Sequence, residues 1–342
     1  MGMPKGNEKA RAVGVGIDVS KGELVACVRR EGGAEDLLRA GNDAAGVRKL
    51  LAALGGCACR VVIEATSHYS WLAAVMLSEA GMDVRVINPI LTAKYTKSGV
   101  RMVKSDPADA ATLALMAGSD PKLPPRFSAT REGLAWRKEY GLFETLKRKC
   151  SEMRVAVAGA REAAASLGLD ASADLAPAEA ALRALDASAR KAEAALAARA
   201  AALSGGLAER LAAIPGVSAS TAGLACQLLA TGGGRDAKSW VAFAGLDVSV
   251  RQSGAWRGKA RLTKRGSPSL RRRLFCAAWG AVMHGGRFGE YYESLRKAGR
   301  SYVEALVIIA RKIVRLMFRI ASEPGATYDE ARAFPAPKPA AA

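Results

Sequence analysis

Hydrophobic positions in the first 90 residues follow a strand-like and then a helical period. Residues 13–30, VGVGIDVSKGELVACVRR, place two apolar runs on either side of the turn sequence SKG, which predicts a β-hairpin with Asp18 beside its turn. Residues 59–89 combine an apolar run ending at Glu64, a helical pattern over about 69–80 and a further apolar run. Strands that alternate with helices indicate an α/β sheet, whose functional side chains usually lie at the carboxyl ends of strands.

The pattern changes to Ala, Leu, Arg and Glu from about 131 to 205, with GLDASADLAP at 168–177 as the one clear break, so we predict two long helices. In the second helix, apolar residues recur at alternating steps of three and four, with Arg199 in the one polar position. They are Leu175, Ala178, Leu182, Leu185, Ala189, Ala192, Leu196 and Leu203. This spacing predicts a coiled-coil seam, buried in a helical hairpin or between chains. The small alanine side chains favour packing within a larger assembly.

After residue 205, the segment LAERLAAIPGVSASTAGLACQLLA places a Pro-Gly turn between two helical stretches. A helix-hairpin-helix has this form and would offer the backbone around Gly216 to a phosphate. An ordinary turn between helices gives the same pattern. The chain ends in FPAPKPAAA, which is typical of a disordered tail.

These patterns predict four segments: an α/β domain at 11–130, a helical coiled-coil segment at 131–205, a mostly α domain at 206–322 and a disordered tail at 323–342.

Charge narrows the class of partner. Among 342 residues, 51 Lys and Arg against 32 Asp and Glu give a formal net charge of +19, which favours a polyanion such as nucleic acid. No apolar run reaches the ~18 residues of a spanning helix, and the first residues contain no secretory h-region, so we expect a cytoplasmic protein that does not enter membranes. The six cysteines include no CxxC pair, which argues against zinc and favours reduced thiols that are small core residues or bystanders.

The most basic stretch is 251–275, RQSGAWRGKARLTKRGSPSLRRRLF, which has nine basic residues and no acid. A solvated surface normally mixes the two signs of charge, so this stretch is the best candidate for nucleic-acid binding. Its basic residues are Arg251, Arg257, Lys259, Arg261, Lys264, Arg265, Arg271, Arg272 and Arg273.

Four acids are candidates for metal chemistry: Asp18, Glu64, Asp106 and Asp109. The last two are three residues apart in KSDPADA, so both face the same side of a predicted helix. Carboxylates held so close together repel unless a cation compensates them, and hard oxygen ligands suit Mg²⁺ or Mn²⁺ in phosphoryl transfer. Asp106 as a simple N-cap and Asp109 as a favourable first-turn charge remain alternative interpretations.

The order GIDVSK, VIEATSHY, KSDPADA resembles the RuvC-like (RNase H-like) DEDD domain of insertion-sequence family one hundred and ten, a group of bacterial transposases. The later segments IPGVSASTA, WVAFAGLDVSVRQSG and KRGSPSLRRRLFCAA resemble the same family's C-terminal transposase domain, so the resemblance extends over about 11–320.

The resemblance implies that the four acids bind Mg²⁺ and that the serine of an SG motif, Ser253 here, attacks the scissile phosphate. It also implies a dimer or tetramer in which the acids of one protomer meet Ser253 of another. A structured noncoding bridge RNA would pair with donor and target DNA. Base pairing would then select the sequence, and the protein would recognise the backbone and shape of the nucleic acid. On sequence alone, Ser253 would be interpreted as a loop serine in a Ser-Gly turn, and the family resemblance alone makes it a candidate nucleophile.

The chain departs from the family pattern at three places: Ser267-Pro268 follows KRG, Asp247-Val248 follows GL, and Ser218 follows IPGV. The resulting interpretation is a Mg²⁺-dependent transposase and recombinase. The alternatives are a metal-dependent junction nuclease, which would need the acids but not Ser253, and a non-catalytic nucleic-acid-binding protein.

Overall fold

The computed structural model describes residues 11–55, 59–97, 105–230, 236–249, 252–253, 256–257 and 261–335. The chain divides into two compact units, Met1–Arg131 and Glu132–Ala342, which we describe in turn.

The N-terminal unit is built on a five-stranded mixed sheet with the order β3-β2-β1-β4-β5. The first three strands are antiparallel neighbours, whereas β4 lies parallel to β1 and β5 lies parallel to β4. The strands are β1 (Ala12–Val19), β2 (Glu23–Arg30), β3 (Glu35–Gly41), β4 (Arg60–Glu64) and β5 (Asp83–Ile87).

Helices cover both faces of this sheet, because its strands alternate buried side chains to both sides. Val15, Ile17 and Leu24 share one buried cluster with residues of α1 and α2, whereas Val25 and Cys27 contact α4 on the other face. The helices are α1 (Ala44–Leu54), α2 (Trp71–Glu79), α3 (Pro89–Lys97) and α4 (Asp106–Ser119). The predicted α/β N-terminal domain is therefore confirmed, while β3 and α1 were not predicted.

The second unit begins with two long helices, α5 (Arg131–Ser166) and α6 (Ser172–Leu203). The thirty-six residues of α5 extend over ~54 Å at the usual helical rise. Ion pairs Arg154–Asp186 and Arg199–Glu139 join the two helices. The two predicted helices are confirmed, but the break is shorter than predicted, since α6 already contains Pro177.

The predicted seam of α6 is unevenly buried. Ala189 and Leu196 are buried, Leu182 is half-buried, and Leu203 is exposed. The seam as a coiled coil between chains therefore remains a prediction.

The rest of the second unit is mostly helical, as predicted, with short paired strands between α9 and α10. Its buried core combines residues of these helices with residues of α5 and α6, and α12 supplies the largest share, including Ile309, Ile313 and Ile320. The helices are α7 (Leu207–Ala212), α8 (Ala219–Ala230), α9 (Ala237–Phe243), α10 (Pro268–Met283), α11 (Gly286–Lys297), α12 (Tyr302–Ser322) and α13 (Glu330–Ala333). The strands are β6 (Val248–Ser249), β7 (Gln252–Ser253), β8 (Trp256–Arg257) and β9 (Arg261–Leu262).

The segment 323–335 differs from the disordered tail that the sequence suggests for 323–342. Asp329 caps α13 by accepting hydrogen bonds from the Ala331 and Arg332 amides. Ala333 is buried in the core and Phe334 packs edge-to-face on Phe288. One aromatic side chain thus anchors this part of the chain, while 336–342 lie outside the described residues.

Four cysteines agree with the expectation of reduced thiols that are core residues or bystanders, and Cys59 does not. Cys27, Cys150 and Cys226 are buried free thiols, and burial raises the pKa of Cys226 to about 12. Cys276 is free but exposed, and Cys59 is disulfide-bonded. Among the described residues, no helix combines the length and apolar character needed to cross a bilayer.

Candidate active site

Two glycines on β1 bring α4 unusually close to the sheet. Gly14, Gly16 and Asp18 alternate along one face of β1. A Cβ on Gly14 would lie 2.6 Å from the Ala114 carbonyl oxygen, and one on Gly16 would lie 2.6 Å from the Leu113 carbonyl carbon. The helix backbone thus rests directly on the two glycines, where no side chain fits.

This contact sets the direction of α4 relative to Asp18. From Gly14 to Gly16 the contacts move from Ala114 and Gly118 back to Ala110 and Leu113, so the helix runs antiparallel to the strand. On the strand, the residue that follows Gly16 on the same face of β1 is Asp18. On the helix, the turn that precedes Ala110 and Leu113 contains Asp106 and Asp109. The glycine pair therefore directs the first turn of α4 towards Asp18.

The fourth acid comes from the neighbouring strand. β1 and β4 are paired in parallel up to Ile17 opposite Ile63, and the next residues are Asp18 and Glu64. Adjacent strands are ~4.8 Å apart, so the Asp18 and Glu64 backbones lie side by side at the carboxyl ends of these two strands.

The four carboxylates influence one another electrostatically. The pKa of Asp18 is raised, first by burial and then by the negative charges of Asp106, Asp109 and Glu64, while a hydrogen bond from the Val19 amide acts in the opposite direction. A cation bound nearby would offset the repulsion that the other three carboxylates exert on Asp18.

The donor set is chemically suited to a hard cation, because it consists of carboxylate oxygens alone. Within the described part of the chain, however, no three Asp, Glu, His or Cys side chains are close enough together to hold one metal ion. The four acids are therefore neighbours on the same surface rather than a finished coordination shell.

Asn42, which sequence reasoning missed, ties together the loops beside these acids. Its side-chain amide donates to the carbonyl of Ser20 at 2.8 Å and to that of Tyr69 at 3.0 Å. It thereby joins the turn after Asp18 to the loop after Glu64. The only sequence signal is an Asn just before Asp43, the N-cap of α1. His68, four residues after Glu64, is exposed, and its Nδ1 lies 3.3 Å from the Ser67 hydroxyl oxygen.

Ser253 lies in a short strand of the second unit, between α9 and α10. The backbone of β7 pairs with β8 so that Ser253 is opposite Trp256, and β6 pairs with β9 outside them. At the base of β6 and β9, the Thr263 hydroxyl donates to the Asp247 carboxylate and the Thr263 amide donates to the Asp247 carbonyl at 3.0 Å. Asp247, one of the departures from the family pattern, thus closes the segment that carries Ser253.

The other two departures are helix caps. Ser267 accepts from the Leu270 amide at the start of α10, where Pro268 occupies the first turn, and Ser218 accepts from the Thr221 amide at the start of α8. Serine is among the best N-cap residues, so both loops keep a well-formed helix start.

The predicted basic stretch contains side chains in different environments. Arg261, Lys264 and Arg265 are exposed. Arg271 is half-buried and donates to the Ala244 carbonyl at 3.5 Å. Arg251 and Lys259 lie outside the described residues, and Arg257 is described only by its backbone in β8.

Arg272 and Arg273 are neutralised within the protein. Glu144 of α5 accepts from Arg272 at 2.5 Å and from two nitrogens of Arg273. Arg273 is only 13% exposed, donates to the Ser220 hydroxyl at 2.9 Å and lies over the Phe143 ring. These contacts tie α10 to α5 and α8.

Gly216 has a structural role in the turn between α7 and α8. Its φ is +79°, and an added Cβ would lie 3.0 Å from the Ala281 Cα and closer still to the Ala277 carbonyl. Glycine is required here because the turn touches the backbone of α10. The helix-hairpin-helix with a phosphate at Gly216 remains a prediction.

Two family models match the chain. Residues 15–157 match the DEDD transposase model of the IS110 family, described as "Transposase", and residues 208–293 match the model described as "Transposase IS116/IS110/IS902 family". No curated protein matches the chain. The two matches cover both units in the family order, and the first contains all four acids while the second contains Ser253. The chain belongs to the IS110 family of transposases.

Proposed function

We propose that this transposase cuts and rejoins DNA through a Mg²⁺-dependent site at Asp18, Glu64, Asp106 and Asp109 and through a nucleophilic serine, Ser253. The observation that carries the proposal is the close contact of α4 with Gly14 and Gly16, which directs Asp106 and Asp109 towards Asp18, while Glu64 follows the parallel-paired neighbouring strand. After burial, the negative charges of these three acids contribute to the raised pKa of Asp18.

In this proposal the carboxylates provide the oxygen ligands for the metal, and the glycines of β1 hold Asp106 and Asp109 in place. When bound, Mg²⁺ or Mn²⁺ would stabilise negative charge on phosphate oxygens. The Ser253 oxygen forms a bond to phosphorus as one P–O bond of the scissile linkage breaks. The hydroxyl proton ends on the leaving oxygen, so the step needs no other reactant.

The proposal extends to partners and location. A net charge of +19 and the exposed Arg261, Lys264 and Arg265 support binding to donor DNA, target DNA and a structured noncoding bridge RNA. We further propose a dimer or tetramer, with α6 in the contact between chains, and a cytoplasmic bacterial protein that associates with the nucleoid through DNA.

A junction PCR tests the reaction in cells that express the gene within its native flanking DNA. We expect a circular-junction product from the wild type and none from Asp18→Ala, Glu64→Ala, Asp106→Ala or Ser253→Ala. Ser249→Ala, in the neighbouring strand β6, and Asp170→Ala, at the tip of the helical hairpin, are matched controls that should retain the product.

The variants separate the alternatives. A product from Ser253→Ala would refute the serine nucleophile and leave a metal-dependent nuclease with water as nucleophile. A product from Asp18→Ala would refute the metal site. Loss of product in both controls would show that the assay reports folding rather than chemistry.

A further inference from the structure

Helix α12 presents a row of arginines on the side opposite its buried face. Ala305, Ile309 and Ile313 lie in the core, whereas Arg311, Arg315 and Arg319 follow one another at steps of four residues. Side chains at this spacing share one side of a helix. Arg315 is exposed and the other two are half-buried.

The side chains of these three arginines make no hydrogen bond or ion pair with any residue that the structure describes. Arg311 Nε and both Nε and Nη2 of Arg319 are even shielded from solvent without a hydrogen-bond acceptor. A guanidinium N–H left in this state is costly unless an acceptor approaches it. Several other arginines of the second unit, such as Arg154 and Arg287, are by contrast ion-paired.

The acids nearest in sequence are occupied elsewhere. Glu304 completes the capping box with Ser301 at the start of α12, and Glu323 pairs with Arg332 beyond its end. From 305 to 322 the sequence contains no acid. The positive charge also affects Lys312, whose pKa is lowered first by burial and then by Arg315.

We propose that Arg311, Arg315 and Arg319 form a binding row for the phosphodiester backbone of a nucleic acid. Four helical residues rise ~6 Å, close to the ~6.8 Å that two nucleotides of a duplex strand span along its axis. The guanidinium fork suits phosphate oxygens better than an ammonium group does. The three arginines lie outside both matched family segments and outside the basic stretch 251–273. The proposal rests on the proposed function only because it takes the ligand to be a nucleic acid.

The test is the salt dependence of binding by the full chain in EDTA, measured by fluorescence anisotropy with labelled duplex DNA and with a labelled RNA hairpin. We expect the triple variant Arg311→Gln, Arg315→Gln, Arg319→Gln to reduce the slope of log K against log salt by ~2.7 on duplex DNA, or ~0.9 per arginine. A smaller slope with only one of the two probes would identify which nucleic acid occupies the row.

A matched triple variant removes the same charge from paired arginines of the same unit: Arg154→Gln, Arg183→Gln and Arg287→Gln. An equal loss of slope in this control, or an unchanged slope in the α12 variant with both probes, would overturn the proposal. So would equally strong competition by polyglutamate, which would indicate an acidic protein as the partner. If the triple variant fails to fold, the single change Arg315→Gln at the exposed position should still lower the slope by ~0.9. Because EDTA prevents metal-dependent chemistry, this result does not depend on whether recombination occurs.

Discussion

The close contact between β1 and α4 predicts a strong effect of the smallest possible substitution, Gly16→Ala. The added Cβ would lie 2.6 Å from the Leu113 carbonyl carbon and nearer still to the Ala110 oxygen and the Ala114 nitrogen. Real Cβ contacts essentially never fall below 3.0 Å, so α4 must move by more than the 0.4 Å between these values. All three obstructing atoms belong to the backbone, which cannot move aside as a flexible side chain would.

Overpacking of this kind lowers the free energy of unfolding by about 1–3 kcal/mol. We expect a value in the upper half of that range, because the helix backbone is rigid. We therefore expect Gly16→Ala to speed hydrogen exchange of the buried amides in β1 and α4 by about 30- to 150-fold. Activity should also fall, because a displacement approaching 1 Å at a catalytic group can cost about a hundredfold in rate. Asp106 and Asp109 would move away from Asp18 together with the helix.

Two controls make the same chemical change at other glycines. An added Cβ at Gly22 meets nothing within 4 Å, and one at Gly118, on the same helix, would lie 3.5 Å from the Val13 carbonyl oxygen. Gly22→Ala should be neutral, and Gly118→Ala should be neutral or stabilising because alanine favours the helix. Wild-type exchange in Gly16→Ala would refute the direct contact between α4 and β1.

Three further changes have defined outcomes. Glu144→Ala leaves the nearly buried Arg273 without its partner and should lower the free energy of unfolding by about 3–5 kcal/mol in urea titrations, whereas the exposed Glu152→Ala should change it by at most ~0.5 kcal/mol. Asp18→Asn should stabilise the metal-free chain at neutral pH. The pKa of the Asp18 carboxyl is raised in the folded state, so above pH 3.8 the native state holds this proton more tightly than the unfolded state does. The wild type therefore loses stability as the pH rises through this window, and the variant should not. Unfolding midpoints measured over a pH series would contradict this if the variant showed the same slope as the wild type. Ser267→Ala should cost ~1 kcal/mol in thermal unfolding through loss of the α10 cap, and Ser267→Asn should restore it.

Local signals explain what the sequence predicted well. The hairpin of β1 and β2 and the following strand, helix and strand each have a full hydrophobic period, so their positions follow from nearest neighbours in the chain. β3 was missed because it is an edge strand, EDLLRAG, whose charged and apolar residues do not alternate in sequence, and only Ala40 is buried. Its strand conformation depends on backbone pairing with β2, which leaves no periodic pattern.

In the candidate site, too, the local features could be predicted from the sequence, whereas the tertiary contacts could not. That Asp18 and Glu64 end strands, and that Asp106 and Asp109 share one helical face, could be predicted from spacing. Their approach to one another depends on α4 resting on Gly14 and Gly16, a tertiary contact that two glycines in a strand do not reveal. The position of Asn42 before the helix N-cap does not reveal its role, because its hydrogen bonds reach loops 22 and 27 residues away.

The basic residues show why density of charge along the chain is a poor guide to a nucleic-acid surface. The stretch 251–273 is the most basic, yet Glu144, 128 residues before Arg272, neutralises two of its arginines. Helix α12 has fewer basic residues among many apolar ones, and its arginines lack acidic partners in the described structure. Counterion release depends on charges that remain uncompensated at the surface. The folded distribution of acids therefore decides which cations are available to phosphate, and it favours α12 over the arginines that begin α10.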